Sequence, residues 1–427
     1  MSVGITSRFA RIICQAERKN IARCAFHSDN GDQSCGTLFS FGNGSQGQLG
    51  CDATADEYTP ERVPVPENVV GIAAGHYHSL AWTSEGQLYS WGRNNDQQLG
   101  RVQTDENAPF GASLKPGHIT GLSTKVVGCA ASGVASLAVG TDGCLHSFGK
   151  SKRGQLGLGQ GRSAASVPER IPGCEGVTAV SCGWGHALAL TEDGGVFSWG
   201  FPSGDRLGNL VGDSTAEMSE MEALDSCVWS PQKILAFEGL KAKQVCCSLD
   251  SSMVLAEDGT LYSFGDNSLG QLGRPSRPGH CPEDWIVRGD AGAPLKFERV
   301  AAGLGHCLAV TQDGQLMVWG WKHGLTGLPE TLHVPALVPS LPDNPCARLA
   351  AGRVHSLVAT VSDLEDQHLP GLAGGTDVLY TFGNGQNGRL GLGSSQSAGE
   401  PEVVQDLEGL SIQDIACGHD HSLVLTS

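Results

Sequence analysis

The sequence predicts an all-β fold, a seven-bladed β-propeller whose ring is closed by strands from both chain termini. Two observations lead to this prediction: one phrase recurs along the chain, and its copies begin and end out of phase. The clearest copy, "GHYHSLAWTSEGQLYSWGRNNDQQLG", starts at Gly75. Glycine accounts for 60 of the 427 residues, about twice its usual share of roughly 7%. A glycine-rich chain with a regular repeat is typical of short strands joined by tight turns.

Each copy of the phrase predicts strands joined by two kinds of turn. A strand such as "VVGIAAG" leads through a G-x-x-H corner into "HSLAWT", in which Ser79 and Leu80 are predicted to point outward and inward. The "SEG" that follows predicts a tight turn with glycine at positive φ, and "QLYSWG" is the returning strand. An aromatic-Gly step ends this strand in seven copies, at Gly42, Gly92, Gly149, Gly200, Gly265, Gly320 and Gly383.

The two ends of the chain each hold one half of a unit. The first half, "TLFSFGNGSQGQLG", begins at Thr37, and the missing half, "IQDIACGHDHSLVLTS", ends at Ser427. A four-stranded sheet needs neighbouring sheets to cover its faces, and a ring leaves no terminal sheet uncovered. One blade built from both halves therefore closes a propeller over residues 37–427.

Three insertions interrupt the repeat, at residues 209–231, 274–294 and 362–377. The first carries five acidic residues and no basic one, and its Met218, Met221 and Leu224 are spaced for one face of a short helix. The second is proline-rich, and the third replaces a tight hairpin turn. Lengthened loops on a rigid scaffold often bind partners, but each insertion can equally be surface elaboration.

Residues 1–28 differ from the rest of the chain, because they hold five basic residues and one acidic residue. An amphipathic, arginine-rich segment of this kind is typical of an organellar transit peptide. The apolar stripe that supports a helix consists of Ile5, Phe9, Ile12, Ile13 and Ala16. We therefore expect a mitochondrial protein. The alternative is a short exposed helix before the first blade, in a cytoplasmic or nuclear protein.

The formal net charge of the chain is −17. Such a chain is poorly suited to binding a phosphate backbone, which requires concentrated lysine and arginine, unless it carries a local basic patch. A basic protein surface is the better complement. We expect a protein or ribonucleoprotein partner and no direct DNA binding. We also expect no membrane span, because no apolar run approaches the ~18 to 20 residues that one needs.

The chain has 15 cysteines. Three of them, Cys182, Cys247 and Cys417, occupy one position of the repeat that alanine occupies in the other units, at Ala74, Ala131, Ala302 and Ala351. A position shared by alanine and cysteine indicates a small buried side chain. We expect reduced thiols here, with disulfides or a metal site as the alternatives.

The repeated phrases resemble the regulator of chromosome condensation repeat family, whose signature "GxxHSLAxTxxGxLYSWGxNxxGQLG" they follow over about residues 37–427. The resemblance implies a seven-bladed propeller with this form of closure. The family's functions include nucleotide exchange on the nuclear GTPase Ran, UV-B perception in plants, mitochondrial gene expression and accessory domains of ubiquitin ligases. The plant UV-B receptor depends on several "GWRHT" corners, whereas Trp184 alone holds that position here. This difference argues against photoreception.

The corners supply the candidate site residues. Five histidines share one corner position, at His78, His186, His306, His355 and His421. We expect each of them to be a partly buried structural ring that bonds the backbone, since neither chemistry nor a metal would require one histidine per blade. The varied residues beside them gather on one rim and are predicted to bind a partner, at His76, Tyr77, Trp184, Asp250, Arg353, His419 and Asp420. The alternative is that the varied corners are merely tolerated surface.

No arrangement of catalytic residues stands out in the sequence, and we expect no cofactor and no covalent catalysis. The predicted function is a non-catalytic interaction scaffold that supports mitochondrial RNA processing, translation or complex assembly. The alternative is a guanine-nucleotide exchange factor for a small GTPase.

Overall fold

The computed structural model describes residues 36–101, 111–208, 220–275, 282–289, 292–322, 331–338, 341, 346–360 and 377–427. The predicted transit segment 1–28 lies outside the described residues, as do residues 209–219 and 362–376 of the insertions. The described strands form seven antiparallel sheets, which are the blades of a ring. The predicted all-β, seven-bladed propeller is therefore confirmed.

The blades are numbered in chain order, and each begins with the strand nearest the ring axis. The first two strands of the chain, β1 (Thr37–Gly42) and β2 (Glu57–Arg62), belong to the last blade. Blade 1 contains β3 (Val69–Ala74), β4 (His78–Thr83), β5 (Leu88–Gly92) and β6 (Ser113–His118). Blade 2 contains β7 (Val126–Ala131), β8 (Ala135–Gly140), β9 (Leu145–Lys150) and β10 (Ala164–Arg170). Blade 3 contains β11 (Val177–Cys182), β12 (His186–Thr191), β13 (Val196–Gly200) and β14 (Val228–Lys233).

The second half of the ring follows the same plan. Blade 4 has three strands among the described residues, β15 (Ala242–Cys247), β16 (Ser251–Ala256) and β17 (Leu261–Gly265). Blade 5 contains β18 (Phe297–Ala302), β19 (His306–Thr311), β20 (Leu316–Gly320) and β21 (Leu332–Leu337). Blade 6 contains β22 (Cys346–Ala351), β23 (His355–Thr360), β24 (Val378–Gly383) and β25 (Ala398–Val403). Blade 7 contains β26 (Ile412–Cys417) and β27 (His421–Thr426), followed by β1 and β2.

Blade 7 joins the two ends of the chain. Strand β1 pairs with β27 over its full length, from Thr37 opposite Thr426 to Gly42 opposite His421. Leu38 is fully buried together with Leu423 in the core between blades 7 and 1. The innermost strands contact one another around a complete circle, including β26 with β3. The predicted closure by both termini is confirmed.

The second strand of every blade is buried along its whole length, β4 being one example. Ser79 and Leu80 do point to opposite faces of β4, but the expectation that Ser79 faces outward is wrong, because neighbouring blades cover both faces of each sheet. Leu80 packs against Phe148 of blade 2, and Ser79 satisfies its hydroxyl by donating to the backbone oxygen of Gln48, 2.8 Å away. A serine can replace an apolar residue in this core because a backbone carbonyl accepts its proton.

The aromatic-Gly steps bring each blade against the preceding one. The indole Nε1 of Trp91 donates to the backbone oxygen of Gln48 at 2.9 Å, in the loop that follows β1. Gly92 has a φ of 98°, and a Cβ atom there would lie 2.6 Å from the backbone oxygen of Tyr77. Glycine is required at this step because the corner of the same blade passes so closely.

The parts of the insertions that are described are packed structures. In the first, Glu220–Asp225 forms a short helix, α1, with Leu224 packed against the cluster of Phe201 and Cys227. In the second, a 3-10 turn at Pro282–Trp285 buries Trp285, whose ring centroid lies 4.9 Å from that of Phe264. Trp285 helps to cover the outer part of blade 4, so this insertion contributes to the core as well as to the surface.

Candidate functional site

The seven corners lie on one face of the ring, together with the loops that follow the aromatic-Gly steps. We call this side the corner face. The corners surround the mouth of a central cavity of about 400 Å³, whose wall comes from the innermost strands and contains many small residues. The Ala-or-Cys position of the repeat belongs to this wall, at Ala74, Ala131, Cys182, Cys247, Ala302, Ala351 and Cys417. The 11 described cysteines are free thiols, and burial raises the pKa of Cys182 to about 12.

The five corner histidines connect neighbouring blades. Each ring is fully buried, and its Nε2 lies within hydrogen-bonding distance of a serine Oγ on the next blade. The expected bond to the backbone is wrong, because the partner is a side chain one repeat further on. The pairs are His78 with Ser136 at 2.8 Å, His186 with Ser252 at 2.9 Å, His306 with Ser356 at 2.9 Å, His355 with Ser422 at 3.1 Å and His421 with Ser79 at 3.0 Å.

The serine decides which ring nitrogen carries the proton. The hydroxyl of Ser136 donates its single proton to the backbone oxygen of Gln98 at 2.8 Å, so it can only accept from His78. The imidazole is therefore protonated on Nε2. Burial lowers the pKa of His78 and of His186 to about 3, so these rings stay neutral near pH 7. They are structural connectors.

Two blade boundaries lack this bond, and both partners are replaced at each. Between blades 2 and 3 the two positions hold Ala135 and Ala187, and between blades 4 and 5 they hold Ser251 and Cys307. At each boundary the histidine and its serine partner are thus either both present or both replaced. This is expected, because burying either group without its partner would lower the stability of the fold.

Restoring the missing pair between blades 2 and 3 is expected to add one bond between the blades. A histidine at position 135 also requires glycine in place of Ser132, because a Cβ atom at the equivalent Gly75 would lie 2.5 Å from the His78 ring. The triple variant Ser132→Gly, Ala135→His and Ala187→Ser should have a free energy of unfolding about 1 kcal/mol higher than Ser132→Gly with Ala135→His, the usual net worth of one hydrogen bond. Urea denaturation followed by tryptophan fluorescence measures this difference, and the double variant is the control because its ring has no serine partner. Equal stability of the two variants would show that the bond does not couple the blades.

An arc of aromatic rings crosses the corner face. His76 stacks on Trp184, with ring centroids 4.8 Å apart and an angle of 24° between the planes. His76 also lies 5.3 Å from His419, and Tyr77 lies 5.3 Å from His419. The corner between the first two rings is Gly133, where a Cβ atom would come within 3.1 Å of the His76 Nδ1. The absence of a side chain there lets rings from blades 1 and 3 meet.

Trp184 is the most exposed member of the arc. Its relative exposure is 42%, whereas that of His76 is 8%. Burial, followed by repulsion from His419, lowers the pKa of His76 to about 3. The stack is therefore a neutral, largely apolar surface, with the indole as the part that a partner can reach.

Asp420 is the acidic partner of the basic side chains at the blade 7 corner. It accepts three hydrogen bonds from Arg353, lies 2.7 Å from Nη1 of the fully buried Arg389, and lies 2.9 Å from Nδ1 of His419. Burial raises the pKa of Asp420, but the His419 hydrogen bond and the two guanidinium groups outweigh it and hold that pKa well below its usual range. Asp420 is ionised and fully partnered.

A similar arginine–aspartate ion pair occurs at the blade 4 corner, where Arg206 pairs with Asp250. Arg206 and Arg389 both replace the glutamine of the "GQLG" phrase, which is Gln48, Gln98, Gln155 and Gln271 elsewhere. An arginine at this position thus occurs together with an aspartate on the next corner. The rim aspartates are counter-ions of buried cations, so their charge is not available to a partner.

Comparison with known proteins identifies the family of this chain. Residues 37–424 match the family model of the RCC1-like domain. The chain belongs to the RCC1-like domain family. The ultraviolet-B receptor UVR8 of Arabidopsis thaliana is 28% identical to this RCC1-like chain over 397 residues, which are 90% of the chain and 81% of that protein. The RCC1 domain-containing protein RUG3, mitochondrial, of the same plant is 31% identical over 317 residues, which are 71% of the chain and 66% of that protein.

A solved structure shares the fold of this RCC1-like chain. The crystal structure of Prp20p from Saccharomyces cerevisiae superimposes with a TM-score of 0.74 and covers 96% of this chain and 94% of that one, at 23% identity. At this level of identity the likeness shows the fold alone. Among the seven described corners of the RCC1-like chain, Trp184 is the single tryptophan, and its stacking partner is the imidazole of His76.

Most of the predicted rim residues of the RCC1-like propeller lie together in the structure, and one of them, Asp250, lies apart. The aromatic arc and the Asp420 ion pairs are continuous around blades 6, 7, 1 and 3, whereas Asp250 belongs to a separate ion pair on blade 4. The corner pattern of the sequence did not indicate Arg206 and Arg389 as part of the rim. The replacement of the glutamine in "GQLG" was the signal that could have found them.

Two further properties concern the described part of the RCC1-like chain. No three of its histidine, cysteine, aspartate or glutamate side chains are grouped so as to hold a metal ion. None of its helices has the length and apolar character needed to cross a membrane.

Proposed function

We propose that this RCC1-like propeller is a non-catalytic interaction scaffold that supports mitochondrial gene expression, in RNA processing or translation, or in the assembly of a complex. Its partner binds the corner face. The observation that carries this proposal is the exposed indole of Trp184, held on a rim whose aspartates are already paired.

The position of Trp184 suits an interface anchor. Tryptophan is among the residues that most often dominate binding energy at protein interfaces. Stacking on His76 and the hydrogen bond from Gln155 Nε2 to the Trp184 backbone oxygen, at 2.6 Å, hold this corner before a partner arrives. Little conformational entropy is then lost on binding, which favours affinity.

The proposed compartment has two supports. Residues 1–28 have the composition of a transit peptide, and a relative with 31% identity carries the word mitochondrial in its name. Exchange on a small GTPase is the competing function, because Prp20p, which shares the fold, binds Gsp1p.

The test compares Trp184→Ala with Leu337→Ala, since Leu337 is 51% exposed on the outermost strand of blade 5 and is a matched control. Tagged full-length variants are expressed in cells, mitochondria are isolated, and captured proteins and RNA are quantified. We expect Trp184→Ala to reduce partner capture at least tenfold and Leu337→Ala to leave it unchanged. Equal capture by both variants would contradict the corner-face proposal.

Two further arms of this experiment test the compartment and the competing function. A fluorescent reporter fused to residues 1–28 should enter mitochondria, and a reporter that stays in the cytosol would contradict the proposed compartment. Capture of a nucleotide-free GTPase that GTP then releases would favour exchange activity over the scaffold.

A further inference from the structure

A basic loop lies beside Trp184 in a chain that is otherwise acidic. The loop begins at the end of β9 with "KSKR", residues 150–153, and the sequence from 143 to 168 contains no acidic residue. Lys150 and Lys152 are exposed and have no ion-pair partner among the described residues. The net charge of −17 is therefore unevenly spread, and positive charge is locally concentrated on the corner face.

Hydrogen bonds fix this loop to the tryptophan corner. Gln155 donates from Nε2 to the backbone oxygen of Trp184 at 2.6 Å, and its own backbone oxygen accepts from Trp199 Nε1 at 2.8 Å. The guanidinium of Arg153 lies over the Phe201 ring, 4.7 Å from its centroid. A Cβ atom at Gly185, the residue after Trp184, would lie 3.7 Å from Nη1 of Arg153. The loop that carries the two lysines is thus anchored at the tryptophan corner.

Among the described residues, the two rim aspartates are already paired, because Asp250 and Asp420 form ion pairs with arginines. Asp225, at the end of α1, is exposed. Burial raises the pKa of the Cys227 thiol to about 11, while Arg153 opposes this rise and Asp225 adds to it, so both charged groups lie near that thiol. Asp225 is thus a described acidic group at the blade 3 edge of the basic loop.

We infer that Trp184, His76, Lys150, Lys152 and Arg153 form a binding site for single-stranded RNA. One unpaired base stacks on the exposed indole, and the adjoining phosphates contact the basic loop. This inference rests on the proposed function and identifies an RNA strand as a part of the partner.

The combination of groups favours a nucleic acid strand over an acidic peptide. Stacking of a base on an aromatic side chain requires a base that is free of a duplex, and it is a main source of affinity for single strands. Lysine and arginine contribute through the phosphates and make the affinity depend on salt. An acidic peptide would use the lysines but would leave the stacked rings without a complementary surface.

Fluorescence anisotropy of a labelled uridine octamer with the purified full-length protein tests this inference. We expect binding that weakens between 50 and 200 mM salt, and an affinity at least tenfold lower for Trp184→Ala. The double variant Lys150→Glu with Lys152→Glu should bind more weakly and should lower the salt slope by about 1.4, or about 0.7 per phosphate contact. Asp225→Lys should strengthen binding.

The matched control places the same charge change on the opposite face. Lys125 and Lys241 are exposed beside the hairpin turns there, next to Gly86 and Gly194. The double variant Lys125→Glu with Lys241→Glu should bind the octamer as the unmodified protein does. The basic segment 1–28 is common to all variants, so only differences between them count.

Three results would overturn the inference. They are an affinity that Trp184→Ala leaves unchanged, an equal loss in the opposite-face control, and equal competition by duplex RNA or by a glutamate peptide of the same charge. Competition by a DNA strand of equal length measures how far the site distinguishes the sugar. A Trp184-dependent protein partner without any RNA binding would overturn this inference and leave the proposed scaffold function standing.

Discussion

Deleting Ile412–Ser427 is expected to abolish the folded ring. The deletion removes β26 and β27, so β1 loses the strand with which it pairs along its whole length. Leu38 and Phe41, both fully buried, would be exposed, and the innermost strands β22 and β3 would each lose a neighbour. Unpaired strand edges and exposed apolar residues promote aggregation. We expect an insoluble or oligomeric product that has no cooperative thermal transition.

The control for this deletion is removal of residues 1–28, which lie before the first described strand. The chain that begins at residue 29 should elute and melt as the unmodified protein does. Size-exclusion chromatography and circular dichroism during heating measure both properties. A chain lacking Ile412–Ser427 that stays monomeric with an unchanged melting temperature would contradict the role of the shared blade.

The second large effect is expected from Asp420→Asn. This change leaves the fully buried guanidinium of Arg389 without its counter-ion. Breaking a buried ion pair by removing one partner costs about 3 kcal/mol or more. Urea denaturation near pH 7 should therefore show a free energy of unfolding lower by about 3 kcal/mol.

A double variant separates the ion pair from other effects of this change. Arg389→Gln with Asp420→Val reproduces the pairing of Gln98 with Val134 that blades 1 and 2 use. It should recover most of the lost stability, because no buried charge is left alone. A double variant as unstable as Asp420→Asn would show that the loss has another cause.

The ion pair also predicts a dependence on pH. The pKa of Asp420 in the folded state lies below its ordinary value of 3.8. The stabilisation is thus complete above about pH 5 and is lost progressively as the pH falls towards the folded-state pKa, because the unfolded state takes up the proton before the folded state does. Asp420→Asn should lack this component of the acid-induced loss of stability.

The fold was predictable because its signals are local and are repeated. Gly92 and its six equivalents mark the end of the third strand of each unit, and the half-units at the chain ends indicate closure. The environment of β4 was not predictable in the same way. Ser79 looks like a surface residue in its own strand, and only the neighbouring blade and the backbone oxygen of Gln48 explain its burial.

The candidate site was predictable as a set of positions but not as a set of contacts. The corner pattern identified Trp184 and His76, whereas their stacking depends on Gly133, which lies on the blade between them. The serine partners of the corner histidines lie 50 or more residues away. The basic loop at Lys150 and Lys152 belongs to blade 2, and the hydrogen bond of Gln155 connects it to the Trp184 corner of blade 3.

The pairing of β1 with β27 has a consequence for the folding pathway. The hydroxyl of Thr426 donates to the backbone oxygen of Thr37, which is 389 positions away in the sequence. Contacts between such distant residues form slowly, because the entropy of closing the intervening loop is lost before the contact stabilises the chain. Refolding of this propeller should therefore be limited by the step in which the two half-units find each other, and an intermediate with an open ring should precede the native state.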